Sequence, residues 1–356
     1  MYTNEEINLI VLSSFEELSF KQRVTLLSDL SCAEPDFAKY ENILIKSLSE
    51  GVYNKVKDKF YSREYRSKIL SRLDECGIMC VTYFSENYPE ALRNTPCPPT
   101  VLFCKGNVKL LDERLLAIVG SRRTQPSVLK KCTSLSNELS HHFTIVTGAA
   151  DGADAAVIEG AVESGKIISV LAYGFNYVYP SVNERLLKRV EENGLLVTEY
   201  PPQIAPKKYN FPVRNRIIAA LSEGTLVVSA GEKSGACITA RYALDYGKRV
   251  FAFPYSIGVK SGEGCNALIR DGATLARYSG DILEDFGISR KENIKVVLSE
   301  EESAALGFIK DAGEAFAPDI AAKLGKLPYQ IIPLLTALEI KGLIVRLGGN
   351  RYAAIN

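Results

Sequence analysis

The sequence has no tryptophan, two methionines and two histidines among its 356 residues, and the histidines are adjacent, at His141 and His142. None of the eight cysteines forms a CxxC pair with another. Zinc sites need such clusters of Cys and His ligands, so we expect no metal site. Scattered, unpaired cysteines are typical of reduced thiols in a cytosolic protein.

Long apolar runs are also missing. No stretch approaches the ~20 residues of a membrane-spanning helix. The N-terminal segment MYTNEEINLIVL lacks the basic region and the long apolar region of a signal peptide. We therefore expect a cytoplasmic protein without a membrane partner.

The small net charge of +1 hides a sorting of charge along the chain, since 43 Lys and Arg nearly balance 42 Asp and Glu. Residues 202–260 contain nine basic and three acidic residues, whereas residues 299–320 contain six acids and only Lys310 as a base. A nucleic-acid-binding surface needs a local basic excess. The segment 202–260 is therefore the first candidate for contact with phosphate.

Changes in the hydrophobic pattern divide the chain. Residues 1–80 have apolar residues at helical spacing and predict a small helical domain, and 81–286 predict an α/β domain. The α/β part opens with a proline-rich stretch, 87–107, for which we expect an extended connector with a short strand and no helix. Residues 287–299 are expected to be a linker.

Residues 300–356 predict three helices and a hairpin that turns at Gly348, Gly349 and Asn350, which is the arrangement of a winged helix. The expected recognition helix, 328–341, has Lys341 as its only base. A helix that reads the major groove normally brings several Arg or Lys. A protein-interaction role is at least as well supported for this domain as DNA contact.

From about residue 115 to residue 286, short apolar runs alternate with helical stretches. Strands are expected at 116–120, 143–148, 167–174, 194–200, 224–230, 249–254 and 273–277, with helices at 126–140, 152–164, 181–193, 212–222 and 235–247. This alternation predicts a doubly wound α/β fold with a parallel sheet that helices cover on both faces. Ligands of such folds bind beyond the carboxyl ends of the strands.

Glycines, bases and hydroxyl groups recur where these strands end. After the first strand they are Gly120, Ser121, Arg122 and Arg123, and after the fifth they are Lys233, Ser234, Gly235 and Thr239. Glycine lets the backbone approach a ligand, and the guanidinium group of arginine can bind phosphate through two parallel hydrogen bonds. After the second strand, Asp151 or Asp154 is expected to cap a helix, with an acid/base or metal role as the alternative. No nucleophile lies beside a candidate base, which favours an anion-binding surface over an enzyme.

The fourth strand leads to NFPVRNRIIAAL, residues 210–221. The candidates in and before this helix start are Lys208, Phe211, Arg214, Asn215 and Arg216. A helix N-terminus attracts anions. An aromatic ring among basic side chains suits single-stranded nucleic acid, because the nucleobases can stack on the ring. The alternative is that Phe211 packs as a hydrophobic staple and the arginines pair with acids elsewhere.

These motifs together resemble the DNA-processing protein A (DprA/Smf) family. From about residue 88 they follow in the family's order: YPEALRNTPCPPTVLFCKGN, VGSRR, VTGAADGADAAVIEGA, VLAYGFNYVYP, TEYPP, NFPVRNRIIAALS, KSGACITARYAL and GCNALIRDGA. The resemblance implies an extended Rossmann-like domain flanked by an N-terminal helical, SAM-like domain and a C-terminal winged helix. It also implies a homodimer that binds single-stranded DNA without sequence preference and loads the RecA recombinase onto it during natural transformation.

The resemblance also implies roles for single residues. Phosphates would contact Gly120, Ser121, Arg122, Lys208, Arg214 and Arg216. Phe211 would stack on a base, and Lys233 to Gly235 would complete the track. The alternatives are a nucleoside-monophosphate phosphoribohydrolase and a sensor of a nucleotide-like ligand. The phosphoribohydrolases carry a PGGxGT-xx-E signature whose Glu performs the chemistry. The corresponding stretch AGEKSGACITARYA has neither the Gly pair nor that Glu, so we expect a binding protein without a cofactor.

Overall fold

The computed structural model describes residues 2–15, 18, 22–23, 25–26, 42–46, 48–288 and 298–354. The chain divides into two compact units, Met1–Asp285 and Phe286–Asn356. Among the described residues, no helix is long and apolar enough to cross a membrane.

The described residues of the first unit form a nine-stranded sheet. Its strands are β1 (Met79–Thr82), β2 (Val101–Gly106), β3 (Leu115–Gly120), β4 (Thr144–Thr147), β5 (Ile167–Val170), β6 (Leu195–Thr198), β7 (Gly224–Ser229), β8 (Arg249–Ala252) and β9 (Thr274–Leu275). They lie in the order β1-β2-β6-β5-β4-β3-β7-β8-β9. Strand β2 is antiparallel to both of its neighbours, and the other neighbouring pairs are parallel. The predicted mostly parallel α/β sheet is confirmed.

Helices precede, connect and follow these strands. They are α1 (Asn4–Ser14), α2 (Glu50–Tyr61), α3 (Arg63–Glu75), α4 (Glu90–Arg93), α5 (Pro126–Ser140), α6 (Ala153–Ala161), α7 (Glu184–Asn193), α8 (Asn210–Leu221), α9 (Gly235–Asp245), α10 (Glu263–Arg270) and α11 (Ser279–Asp285). Strands β4, β5, β6 and β7 are buried along their whole length, as near-continuous apolar runs predict. Gly160 lets α5 and α6 pack closely, because a Cβ there would lie 2.2 Å from the carbonyl oxygen of Thr133.

The first unit differs from the prediction at several elements, which include α10 and α11, since no helix was expected after residue 247 in the α/β part. Strand β1 was not expected, and it lies across the boundary placed between residues 80 and 81. The connector was expected to contain no helix, yet α4 forms one turn directly after Pro89. Proline just before a helix removes only an N–H that has no partner within the helix, so it does not prevent the turn. Helices α1 to α3 share an apolar core with β1 and β2, which includes Ile10, Phe60 and Phe103.

The second unit is a small mixed domain. Its elements are α12 (Glu300–Ala312), β10 (Glu314–Phe316), α13 (Ala317–Lys323), α14 (Pro328–Ile340), β11 (Ile344–Leu347) and β12 (Arg351–Ala354). The strands form an antiparallel sheet in the order β10-β12-β11. The three expected helices and the hairpin are present, and β10 is an additional strand. Helix α14 exposes Tyr329, Ile332 and Ile340 to solvent rather than basic residues.

Candidate functional site

A cavity of about 560 Å³ opens at the carboxyl ends of β3 and β7, where the strand order of the sheet reverses. Parallel α/β sheets bind ligands at such a reversal. Eleven of the thirteen predicted site residues line it: Gly120, Ser121, Arg122, Arg123, Lys208, Phe211, Arg214, Asn215, Ser234, Gly235 and Thr239. Arg216 and Lys233 are not among its lining residues. The structure therefore brings these eleven residues, which come from different loops and helix starts, together in one cavity.

The loop after β3 is held by hydrogen bonds to its backbone groups, while its two arginine side chains are exposed. The Ala153 N–H donates to the Ser121 carbonyl oxygen at 3.1 Å, and the Ser121 hydroxyl accepts from the Arg123 N–H at 3.1 Å. Gly152 has φ of 81° and lies close against this loop, since a Cβ at Gly152 would be 2.4 Å from the Arg122 carbonyl oxygen. Arg122 and Arg123 thus project from a fixed loop.

A buried acid and a buried base lie side by side at the cavity floor. A Cβ at Gly148 would lie 2.3 Å from Asp154 Oδ2 and 2.6 Å from Arg214 Nη1, so glycine is required there. Arg214 Nη1 also donates to the Val170 carbonyl oxygen. Burial raises the pKa of Asp154 and lowers the pKa of Arg214, and the opposite charge of each opposes both shifts. Arg214 reaches the cavity from the protein interior.

The expected capping role of the acids after β4 is wrong. Helix α6 has Gly152 as its N-cap residue, and no side chain accepts a capping hydrogen bond there. Asp154 Oδ2 instead accepts from the Ala150 N–H at 3.3 Å, and Asp151 Oδ1 accepts from the N–H of the next residue at 2.8 Å. Both carboxylates stabilise the loop that precedes the helix.

Two further helices begin at the cavity. Helix α8 starts after Tyr209, whose side chain makes no capping hydrogen bond. Helix α9 is capped by Ser234, whose Oγ accepts from the Ala236 N–H at 3.3 Å. Asn215 Nδ2 donates to the Gly235 carbonyl oxygen at 3.1 Å and so joins the two helix starts. Helix N-termini carry partial positive charge and N–H groups without helical partners, so this arrangement favours a bound anion.

An aromatic pair stands beside these cations. The Arg122 guanidinium lies over the half-buried Phe211 ring, with its carbon 5.2 Å from the ring centroid. The rings of Phe211 and Tyr179 have centroids 5.6 Å apart and are inclined by 58°. Lys208 lines the same cavity, and its side chain is exposed. The cavity therefore combines positive charge with accessible aromatic surface.

Arg216 has a different environment from the one predicted. It is 5 % exposed and forms an ion pair with Glu199, which is 9 % exposed. Residues two apart on a helix point to nearly opposite sides, so Arg214 and Arg216 do not share a surface. The ion pair corresponds to the alternative interpretation, in which an arginine pairs with an acid elsewhere. Lys233 is exposed in the loop before α9, outside the cavity lining.

Residues 79–287, which include every strand of the large sheet and the whole cavity lining, match the family model of DNA recombination-mediator protein A. The chain belongs to this family. Among its relatives, the DNA processing protein DprA of Bacillus subtilis (strain 168) is 37 % identical over 231 residues, which are 64 % of this chain and 77 % of that protein. The family expected from the sequence motifs is confirmed.

Two solved structures of DNA processing protein A share the fold. The X-ray structure of DprA from Streptococcus pneumoniae has a TM-score of 0.69 at 30 % identity, and the match covers 80 % of this chain and 98 % of that one. DNA processing protein A from Helicobacter pylori has a TM-score of 0.54 at 32 % identity, over 58 % of this chain and 95 % of that one. The Helicobacter structure concerns the single-stranded DNA binding mode of that protein.

Tyr179 is an aromatic residue of the cavity lining that the sequence interpretation missed. It lies in the long loop between β5 and α7, and its ring contacts Phe211. The aromatic run NYVYP after the third predicted strand was the available signal. The length of that loop left open which of its aromatic residues would reach the other strand ends.

Proposed function

We propose that the chain binds single-stranded DNA without sequence preference at this cavity, as a mediator of DNA recombination. The observation that carries the proposal is the Phe211 ring beside Arg122 and Lys208, in a cavity where three helices begin. A single strand needs its phosphates neutralised and its bases stacked, and any base can stack because every base has an aromatic face. The Helicobacter pylori relative, whose structure concerns single-stranded DNA binding, supports this reading.

Binding rather than catalysis is part of the proposal. The carboxylate of the cavity, Asp154, is buried beside Arg214, where it stabilises the loop before α6. Within the described parts of the chain, no three His, Cys, Asp or Glu side chains are grouped to hold a metal ion. A phosphoribohydrolase would need its signature Glu in the stretch that begins α9, and that Glu is missing there. The family membership does not favour this alternative either.

We expect the protein to bind oligothymidine roughly 5- to 100-fold more tightly than duplex DNA of equal length, because paired bases cannot stack on Phe211. Arg122, Arg123 and Lys208 would neutralise three phosphates. A fourfold rise in salt concentration should then weaken single-strand binding about 20-fold through counterion release. Fluorescence anisotropy titrations of both DNA forms over a salt series measure both quantities. Equal affinity for single strand and duplex would disprove the proposal.

Loading of RecA onto the bound strand is a further part of the proposal, and it is supported by the family resemblance. We expect the protein to speed RecA-dependent strand exchange on single strands already coated with a single-strand-binding protein. The rate of joint-molecule formation, with and without the protein, measures this effect. The same rate in both reactions would remove RecA loading from the proposal and leave DNA binding in place.

The remaining parts of the proposal concern assembly and setting. We propose a homodimer in the cytoplasm, engaged in natural transformation, with a helical SAM-like N-terminal domain and a winged helix in the second unit. Three helices and an antiparallel sheet in that unit support the winged helix. The apolar side chains exposed on α14 support protein contact rather than major-groove contact for this unit.

A further inference from the structure

Two side chains contact the Phe211 ring. Arg122 lies over the ring at 5.2 Å, and the Tyr179 ring stands beside it with a 5.6 Å centroid separation. Tyr179 is 40 % exposed and lines the same cavity. The cavity therefore offers a second aromatic surface at nearly the same place, and this surface is more accessible than that of Phe211.

The backbone of Tyr179 is held in position independently of its ring. The hydroxyl group of buried Tyr173 donates to the Tyr179 carbonyl oxygen at 2.8 Å and accepts from the Tyr179 N–H at 3.1 Å. Asn183, at the far end of the loop, donates from Nδ2 to the carbonyl oxygens of Ala149 and Ala150, both at 3.1 Å. The ring can thus be exchanged without removing the contacts that anchor the loop.

We propose that Tyr179 is a second base-stacking position, which takes the nucleotide adjacent to the one on Phe211. This inference rests on the single-strand binding proposed above. Because the two rings are inclined by 58°, bases stacked on them cannot stay parallel to each other. Successive bases within a stacked strand are parallel and ~3.4 Å apart. The ring pair therefore selects a strand whose neighbouring bases are splayed, which a duplex cannot supply.

Tyr179 accordingly adds to the preference for single strands that Phe211 gives and does not act on affinity alone. Tyr179→Leu removes the ring and should weaken oligothymidine binding roughly 5- to 100-fold. Duplex binding should change less than twofold, since it depends on charge. Tyr179→Phe should keep the wild-type ratio of the two affinities. Tyr177→Leu is the matched control, because Tyr177 is 41 % exposed on the same loop but does not line the cavity.

The splaying itself can be observed with two adjacent 2-aminopurines placed at successive steps of a short oligothymidine. Stacked 2-aminopurines give an exciton-coupled circular dichroism signal. Wild type and Tyr179→Phe should abolish this signal at one step, and Tyr179→Leu should retain it there. An unchanged signal with wild type at every step would overturn the inference.

The affinity data separate failure of this inference from failure of the proposed function. If Phe211→Ala weakens single-strand binding while Tyr179→Leu binds like wild type, Tyr179 has no stacking role and single-strand binding stands. If Tyr179→Leu weakens single strand and duplex equally, the residue affects the site's structure and the inference fails. If wild type binds no single strand, the proposed function and the inference fail together.

Discussion

Alanine in place of Phe211 or of Arg122 is expected to weaken the binding of oligothymidine roughly 5- to 100-fold. Loss of the Phe211 ring removes a stacked base, worth ~1–3 kcal/mol. Loss of the Arg122 guanidinium removes a charge-assisted hydrogen bond to phosphate, worth ~1.5–3 kcal/mol. Anisotropy titration with a labelled oligothymidine at one fixed salt concentration measures both losses.

The double variant of Arg122 and Phe211 should lose less affinity than the sum of the single losses. The two side chains are in contact, at 5.2 Å, so each single change also removes part of what the other contributes. Arg185→Ala is a suitable control, because Arg185 is exposed on α7 and lies outside the cavity lining. Wild-type affinity in both single variants would show that DNA binds elsewhere on the protein.

Arg216→Ala is expected to lower the free energy of unfolding by ~3–5 kcal/mol, the usual cost of removing one partner of a buried ion pair. Its partner Glu199 is 9 % exposed and would be left buried without the arginine. Arg23, which is partly buried, also acts on that carboxylate by charge and would offset part of the loss. Urea unfolding followed by circular dichroism measures the change.

A double replacement tests the cause of this loss. Changing both Glu199 and Arg216 to methionine should destabilise the protein less than Arg216→Ala, since it removes both charges of the ion pair together. The folded fraction of Arg216→Ala should bind oligothymidine like wild type. If this variant instead keeps its stability and loses DNA affinity, Arg216 is the phosphate contact that the sequence motif predicted.

The sheet and the edge at which its strand-end residues meet were predictable from the sequence. The alternation of apolar runs and helical stretches predicted the mostly parallel sheet, because buried strands have a composition that helices do not share. The same pattern predicted that glycines and bases after the first and fifth strands would meet, since the carboxyl ends of parallel strands share one edge. Gly120, Arg122 and Gly235 do line one cavity.

Other features depend on contacts between distant segments. Helical geometry requires that Arg214 and Arg216 face different ways, but the packing of α8 decides which of them reaches the cavity. Glu199, which pairs with Arg216, comes from the end of β6. Short segments such as β1 and α4 have too few residues to show a period.

The fold class, the family and the sheet edge that carries the candidate site could all be predicted from the sequence, because they depend on periodicity and on motifs that are local along the chain. The burial of Arg216 and the position of Tyr179 beside Phe211 could not be predicted in this way. Both depend on how loops and helices from different parts of the chain pack together, and a side chain's exposure is a property of that packing.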